Sequence, residues 1–225
     1  MLVGRLSFPL GVITRSDVAQ CYTALPGRLI DYEAGFIATM LWGYGNSNEA
    51  GPVKAWCGFQ TPAFGTHMPN ALSQLARGLR HFGDALNEAM KIDEVGVAFG
   101  TKILYFMGLS MSITPVSVMN SSDDNLKKSA IRSSMSLANP IPLIMDSAVC
   151  GSLIAIFGDS LAKTHFGIIR GTPTGGDGYV AYCEALHYWA AVVGGGCTAD
   201  MIEMYLFQEK RRLTQAAKVK GLPLG

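Results

Sequence analysis

The chain carries little charge. Only 16% of its 225 residues are Asp, Glu, Lys or Arg, and 18 bases against 17 acids leave a formal charge of +1. A broad basic surface that coats nucleic acid is therefore excluded, and any such contact must be local or made by backbone amides. Paired cysteines are lacking as well. Cys21, Cys57, Cys150, Cys183 and Cys197 are scattered, and no C-x-x-C occurs. That argues against a zinc ribbon, an iron–sulfur cluster or a disulfide framework, and fits reduced thiols in the cytoplasm. The opening MLVGRLSFPLGVITRSD is a poor export signal, because Arg5 and Pro9 interrupt it and no small-residue cleavage site follows. No unbroken membrane-length run exists either. Residues 95–122 and 133–158 come nearest, but Gly100, Gly108 and Pro115 interrupt the first, and Pro140, Pro142 and Gly151 the second. A span needs about 20 apolar residues in one helix. With 49% hydrophobic residues and few alternating strand patterns, these stretches predict the buried core of an all-α protein.

Helical spacing sets the expected organisation. Residues 1–70, rich in Gly and Pro, read as short helices joined by long loops. Asn70 is expected to cap a long helix with Leu72, Leu75, Leu79, Phe82, Leu86 and Met90 on one face. Asp93 or Gly96 should end it, and Thr101–Met107 should form a short helix entered from a glycine-containing turn, VGVAFGTK. Another helix is predicted to start at Asp146 and run through Val149, Leu153, Ile156 and Phe157. A further one places Tyr179, Tyr182, Cys183, Leu186, Trp189, Ala190 and Val193 together before Gly194-Gly195-Gly196. Thr198 can cap a last helix with Met201, Ile202, Tyr205 and Leu206 on its apolar face, ending in a basic, solvated KRRLTQAAKVK. The total is about eight to ten helices.

Two residues stand out chemically. Lys102 and Asp146 are the lone charges of the two apolar stretches. Each is costly to bury unless it meets a partner. The plain alternative is a buried ion pair, or a snorkelling lysine and a helix-capping aspartate.

The local sequence raises the functional reading. Phe99-Gly100-Thr101-Lys102 followed by an apolar helix, and later PIPLIMDSAV opening another, resembles the helix–hairpin–helix DNA glycosylase superfamily. In that superfamily a hairpin G-h-G-x-K supplies a lysine, and the catalytic aspartate follows a proline-containing apolar run. The 8-oxoguanine DNA glycosylase branch, with its bacterial subgroup, is most similar: Lys102–Phe106 matches K-x-L-Y-F, Pro142–Val149 matches P-L-I-L-D-S-x-V, Tyr179 and Tyr182 match Y-x-x-Y, and Glu203–Phe207 nears E-x-x-L-F. Ala98 departs from the first hairpin glycine, Ser147-Ala148 replaces a histidine-containing continuation, and the long separation of Lys102 from Asp146 implies a loop inserted at 110–139.

The resemblance implies a single catalytic domain over 1–225, an all-α helix–hairpin–helix glycosylase-like bundle of two lobes with a cleft between them. One lobe would be 1–70 plus the C-terminal helices, the other 71–178. It implies a monomer that flips a modified base out of double-stranded DNA and cleaves its N-glycosidic bond, leaving an abasic site, with AP-lyase activity where a Schiff base forms. Lys102 and Asp146 would be catalytic, without cofactor or metal. Ala98, Gly100, Thr101 and Ser147 would hold the DNA backbone. Trp42, Tyr44, Asn48, Trp56, Phe59, Gln60 and Tyr105 are candidates for the base pocket or wedge, with Phe64 and Asn46 beside them. The substrate would be an 8-oxoguanine-like base in DNA repair, or a hypermodified phage base such as glucosylated hydroxymethylcytosine in antiviral defence. The rival is a non-catalytic helix–hairpin–helix DNA-binding module. His67, His81, His165 and His187 share no metal spacing, and Glu184 with His187 is one pair only. Gly158-Asp159-Ser160-Leu161 spells a hydrolase signature without the D-x-x-H it needs, and GTPTGGDG lacks the ending of a phosphate loop.

Overall fold

A computed structural model describes residues 13–22, 32–44, 50–112 and 140–219. Among them are ten α-helices, one short 3-10 turn and a two-residue-per-strand hairpin, so the fold is all-α. The helices are α1 (Arg15–Cys21), α2 (Tyr32–Tyr44), α3 (Ala50–Gln60), α4 (Pro62–Ala76), α5 (Phe82–Ala89), α6 (Val97–Ser112), α7 (Ser147–Phe157), α8 (Asp159–Phe166), α9 (Gly176–Val193) and α10 (Ala199–Val219). The hairpin pairs β1 (Ile168–Ile169) with β2 (Thr172–Pro173), Ile168 opposite Pro173. Most of the inserted loop expected at 110–139, and the first twelve residues, lie outside the described residues. No described helix is long and apolar enough to cross a membrane.

The start of α1 is fixed by a reciprocal cap. The Asp17 N–H donates to the Thr14 hydroxyl, and the Thr14 N–H donates to the Asp17 carboxylate at 2.7 Å. The single helix expected from Asn70 onward is instead two. α4 begins at Pro62, behind Thr61, and its chain breaks at Gly78, whose φ of +95° suits glycine. A 3-10 turn at Leu79–His81 then leads into α5. The hydrophobic period runs on across the break because both segments face one core, in which Leu75, Phe82 and Leu86 are buried together. Asn70 lies inside α4 and donates to Glu88 on α5.

The hairpin turn also sits earlier than expected. Residues 90–96 turn the chain, with Ile92 and Val95 buried, and α6 already begins at Val97. Gly100 is inside this helix, where its missing Cβ would stand 2.7 Å from Leu86 Cδ1. Its glycine therefore serves the close approach of α5 and α6 rather than a turn. From Ile103 to Met107 every residue is 0–1% exposed, a helix buried all round.

The strand-like segment 140–146 decides where the site can form. It belongs to no helix or sheet, yet Ile141, Leu143, Ile144 and Met145 are all buried. Buried carbonyls need donors, and α9 supplies them. Tyr179 Oη donates to the Leu143 carbonyl at 2.8 Å and Tyr182 Oη to that of Ile144 at 2.7 Å. His187 Nε2 lies 2.9 Å from the Ile141 carbonyl, where the neutral tautomer protonated at Nε2 donates. Burial holds this histidine below its ordinary pKa, which favours the neutral ring. From the other side, the Met145 N–H donates to Thr101 Oγ1 at 3.1 Å. Pro142 sits against Gly108, where any Cβ would lie 2.5 Å from its ring.

The last helix packs across α7, with Ser152 Oγ donating to the Leu206 carbonyl at 2.5 Å. Its buried positions are Ala199, Glu203, Leu206 and Ala217, while Met201 and Tyr205 are 52% and 46% exposed. The expected apolar face is thus rotated, because an acid rather than a methionine points inward. The basic KRRLTQAAKVK is helical as far as Val219. Gly158, with φ +79°, ends α7, so the hydrolase-like tetrapeptide is a helix junction that starts α8 with Asp159 in its first turn.

Removing the Tyr182 hydroxyl strands the Ile144 carbonyl in the core. A Tyr182→Phe protein is expected to lose about 1–3 kcal/mol in urea unfolding. Tyr188→Phe on the solvent side of α9 should stay within about 0.5 kcal/mol; equal losses would reject this role for Tyr182.

Candidate active site

The fold brings Lys102 and Asp146 together. Lys102 projects from α6, and Asp146 ends the clamped segment and caps α7. Asp146 Oδ1 accepts the N–H groups of Ala148 and Val149 at 2.9 and 3.2 Å. That leaves Oδ2 to face the amine, at 3.7 Å from Lys102 Nζ. The separation is an ion-pair distance but too long for a hydrogen bond. Both side chains are largely buried, 11% and 16% exposed.

Two opposing terms set the charge on Lys102. The gross attraction at this distance is about 4 kcal/mol at an effective dielectric near 20. Desolvating each ion costs several kcal/mol. Burial wins: it holds the Lys102 amine below its ordinary pKa, against the pull of Asp146 and Glu203, with Arg15 adding a smaller repulsion. The Phe99 ring lies 5.4 Å below Nζ.

A second set of charges adjoins this pair. Arg15 Nη1, from α1, contacts Asp200 Oδ1 at 2.6 Å and Glu203 Oε2 at 2.9 Å, and Nη2 donates to Glu203 Oε1 at 3.2 Å. Its guanidinium also lies 5.2 Å from the Tyr105 ring and 5.8 Å from that of Trp42. Burial alone would lower its pKa, but Glu203, Tyr105 and Asp200 together outweigh that and hold it above the usual value. Glu203 is wholly buried. Desolvation, opposed by Arg15 and helped by Asp200 and Asp146, pushes its carboxyl up to about 7. Its Oε2 and Arg15 Nε make no hydrogen bond among the described residues. The cluster thus gathers two bases and three acids, and one proton on Glu203 brings its formal charges into balance.

The remaining candidates fall into different places. Ala98, Gly100 and Thr101 were expected in a turn that grips phosphate, but they lie in α6. The Gly100 N–H is bonded to the Gly96 carbonyl at 2.8 Å, and Thr101 is fully buried, its hydroxyl donating to the Ala98 carbonyl and accepting the Met145 N–H. These two hold the frame around Asp146. Ser147 is exposed at the first turn of α7. Trp42 packs edge-on against Phe106 and beside Arg15, and Tyr44 packs on Phe99, so both line the cluster's surroundings. Tyr105 is 1% exposed, with the Arg15 guanidinium over its ring. Trp56, Phe59 and Gln60 are on α3, where Trp56 and Phe59 join an aromatic chain through Phe64 to Phe36. Asn46 and Asn48 lie outside the described residues. Among those described, no three His, Cys, Asp or Glu side chains form a metal-binding group.

Sequence reasoning missed Arg15 and Asp200 and gave Glu203 no role. The signal was faint: an acid on the inward stripe of α10, at i+4 from Ala199 and i−3 from Leu206.

Comparison with known proteins finds a matching family. The model described as "Putative 8-oxoguanine DNA glycosylase OGG-like protein" matches residues 4–118, a stretch that includes Arg15 and Lys102 and stops before Asp146. No curated protein and no solved structure matches the chain.

Glu203 makes stability depend on pH in a defined direction. Its folded pKa, about 7, lies above the ordinary 4.5, so the native state binds the extra proton between them. The associated stability is full below about pH 4.5 and is lost as pH rises through about 7. In Glu203→Gln this decline, on the order of 3 kcal/mol, should vanish from urea unfolding followed between those pH values. A decline of the same size in the variant would contradict the assignment.

Proposed function

The chain belongs to the family described as "Putative 8-oxoguanine DNA glycosylase OGG-like protein", and on that premise we propose that it excises an 8-oxoguanine-like base from duplex DNA with Lys102 as nucleophile and Asp146 as its partner. The observation that carries this reading is the meeting of the two charges at 3.7 Å across α6 and the N-terminus of α7.

A base inside the duplex is out of reach, so the nucleotide must first be turned out, at a cost of a few kcal/mol. Attack then needs a neutral amine. Burial works toward that state in Lys102. Its lone pair forms a bond to C1′ while the N-glycosidic bond breaks. The amine's proton passes to Asp146 and on to the departing base, which leaves with the bond's electrons. Opening of the sugar then leaves a Schiff base, from which strand cleavage can follow. Departure of the base builds positive charge on the sugar. With Lys102 and Glu203 neutral, Arg15, Asp146 and Asp200 carry a net charge of −1, the complement of that developing cation.

The test is release of bases from duplexes carrying 8-oxoguanine, glucosylated hydroxymethylcytosine or neither, scored as alkali-labile sites. Wild type should act on the 8-oxoguanine duplex. Lys102→Ala should give no product above background, and Asp146→Asn a loss of about 10²–10⁴-fold. Lys102→Ala cleaving as fast as wild type would eliminate the proposal. DNA binding without any product would support a non-catalytic module instead.

A further inference from the structure

The strongest charged feature outside the candidate site is a groove along the C-terminal half of α10, lined by Phe207, Lys210, Arg211, Gln215 and Lys218 among others. Among the described residues no acidic side chain lines it. Lys210, Arg211 and Lys218 form no ion pair among the described residues. Arg212, which does not line the groove, is occupied: Nε contacts Glu209 at 2.5 Å and Nη2 donates to Tyr205 Oη at 2.8 Å. Three exposed, unneutralised cations on one stripe are unusual in a chain of net charge +1.

The groove is in line with the site. Glu203, Phe207, Lys210 and Arg211 follow i, i+4, i+7, i+8 spacing, so the stripe that carries the buried acid emerges as the basic groove. Arg211 stands about 12 Å along the axis from Glu203. The stem of Lys210 lies on Gly151 of α7, the helix that Asp146 caps, and the absent Cβ of that glycine leaves room for it. From Arg211 to Lys218 is two turns, about 10 Å, which matches about three phosphates of one strand at 3.4 Å each. Gln215 adds an amide suited to a phosphate oxygen. Phe207, 45% exposed, adds an aromatic face at the end nearest the site.

We propose that the Lys210–Arg211–Lys218 groove of α10 is the track for the phosphate backbone of the DNA strand that leads into the Lys102–Asp146 site. This rests on the glycosylase reading and adds the surface that supplies its affinity. It also explains how a nearly neutral chain can hold DNA: the binding charge is concentrated on one helix face.

Binding of a labelled, lesion-free duplex by fluorescence anisotropy across a range of KCl concentrations tests it. Each lost phosphate contact lowers the slope of log K against log salt by about 0.9. Lys210→Gln/Arg211→Gln/Lys218→Gln should flatten the slope by about 3. Because Lys210 packs on α7, Arg211→Gln/Lys218→Gln is the safer variant, with an expected change of about 2. Arg212→Gln removes the same kind of charge from beside the groove, where it is already paired with Glu209, and should leave the slope unchanged. An unchanged slope in that variant, or an equal change in Arg212→Gln, overturns the groove while leaving the glycosylase reading intact. A wild-type protein that binds no duplex at any salt concentration overturns both.

Discussion

Everything at the site depends on holding an extended, buried segment without a sheet. Residues 140–146 pair with no strand among the described residues, and their carbonyls are met by Tyr179, Tyr182 and His187 from one helix. The Met145 N–H is met by Thr101 from another. Loss of any partner leaves a polar group in the core. This arrangement delivers Asp146 to the end of α7, where one carboxylate oxygen is consumed by capping and the other is free to face Lys102. The same threonine that anchors Met145 is the residue before the lysine. Scaffold and chemistry are therefore adjacent in the chain as well as in space.

The pair does not stand alone. Arg15, Asp200 and Glu203 surround it with charges that cannot all be ionised at low cost in so buried a place. Burial pushes the amine and the Glu203 carboxyl toward their neutral forms, while Arg15 stays charged between two acids. The outcome is a site in which burial makes the uncharged form of the lysine easier to reach. Perturbed groups gathered around one point are what acid–base and nucleophilic chemistry require.

Much of this was legible in the sequence, for physical reasons that can be named. A single charge in a long apolar stretch must find a partner when buried, and that reasoning alone picked out Lys102 and Asp146. The cap at Asp146 and the inward face of α9 followed from spacing. The misreadings have equally specific causes. Glycine marks a turn or a close contact, and Gly100 proved to be the second, which moved the hairpin turn to residues 90–96. Gly78 broke a helix whose hydrophobic period did not change across the break. Arg15, Asp200 and Glu203 sit on helices rich in polar residues, where a charge ordinarily faces water. Only the folded arrangement tells a buried acid on α10 from a solvated one. Tyr179 and Tyr182 were readable as core, but the use of their hydroxyls was not, because the carbonyls they satisfy are remote in sequence.

The central claim is that Lys102 itself becomes bonded to the sugar. Borohydride reduction during reaction with a substrate duplex, followed by proteolysis and mass spectrometry of the cross-linked peptide, tests it most directly. The account predicts a reduced adduct on the peptide carrying Lys102, formed less when Asp146 is Asn. Base release with no adduct, or an adduct on a different lysine, would contradict it.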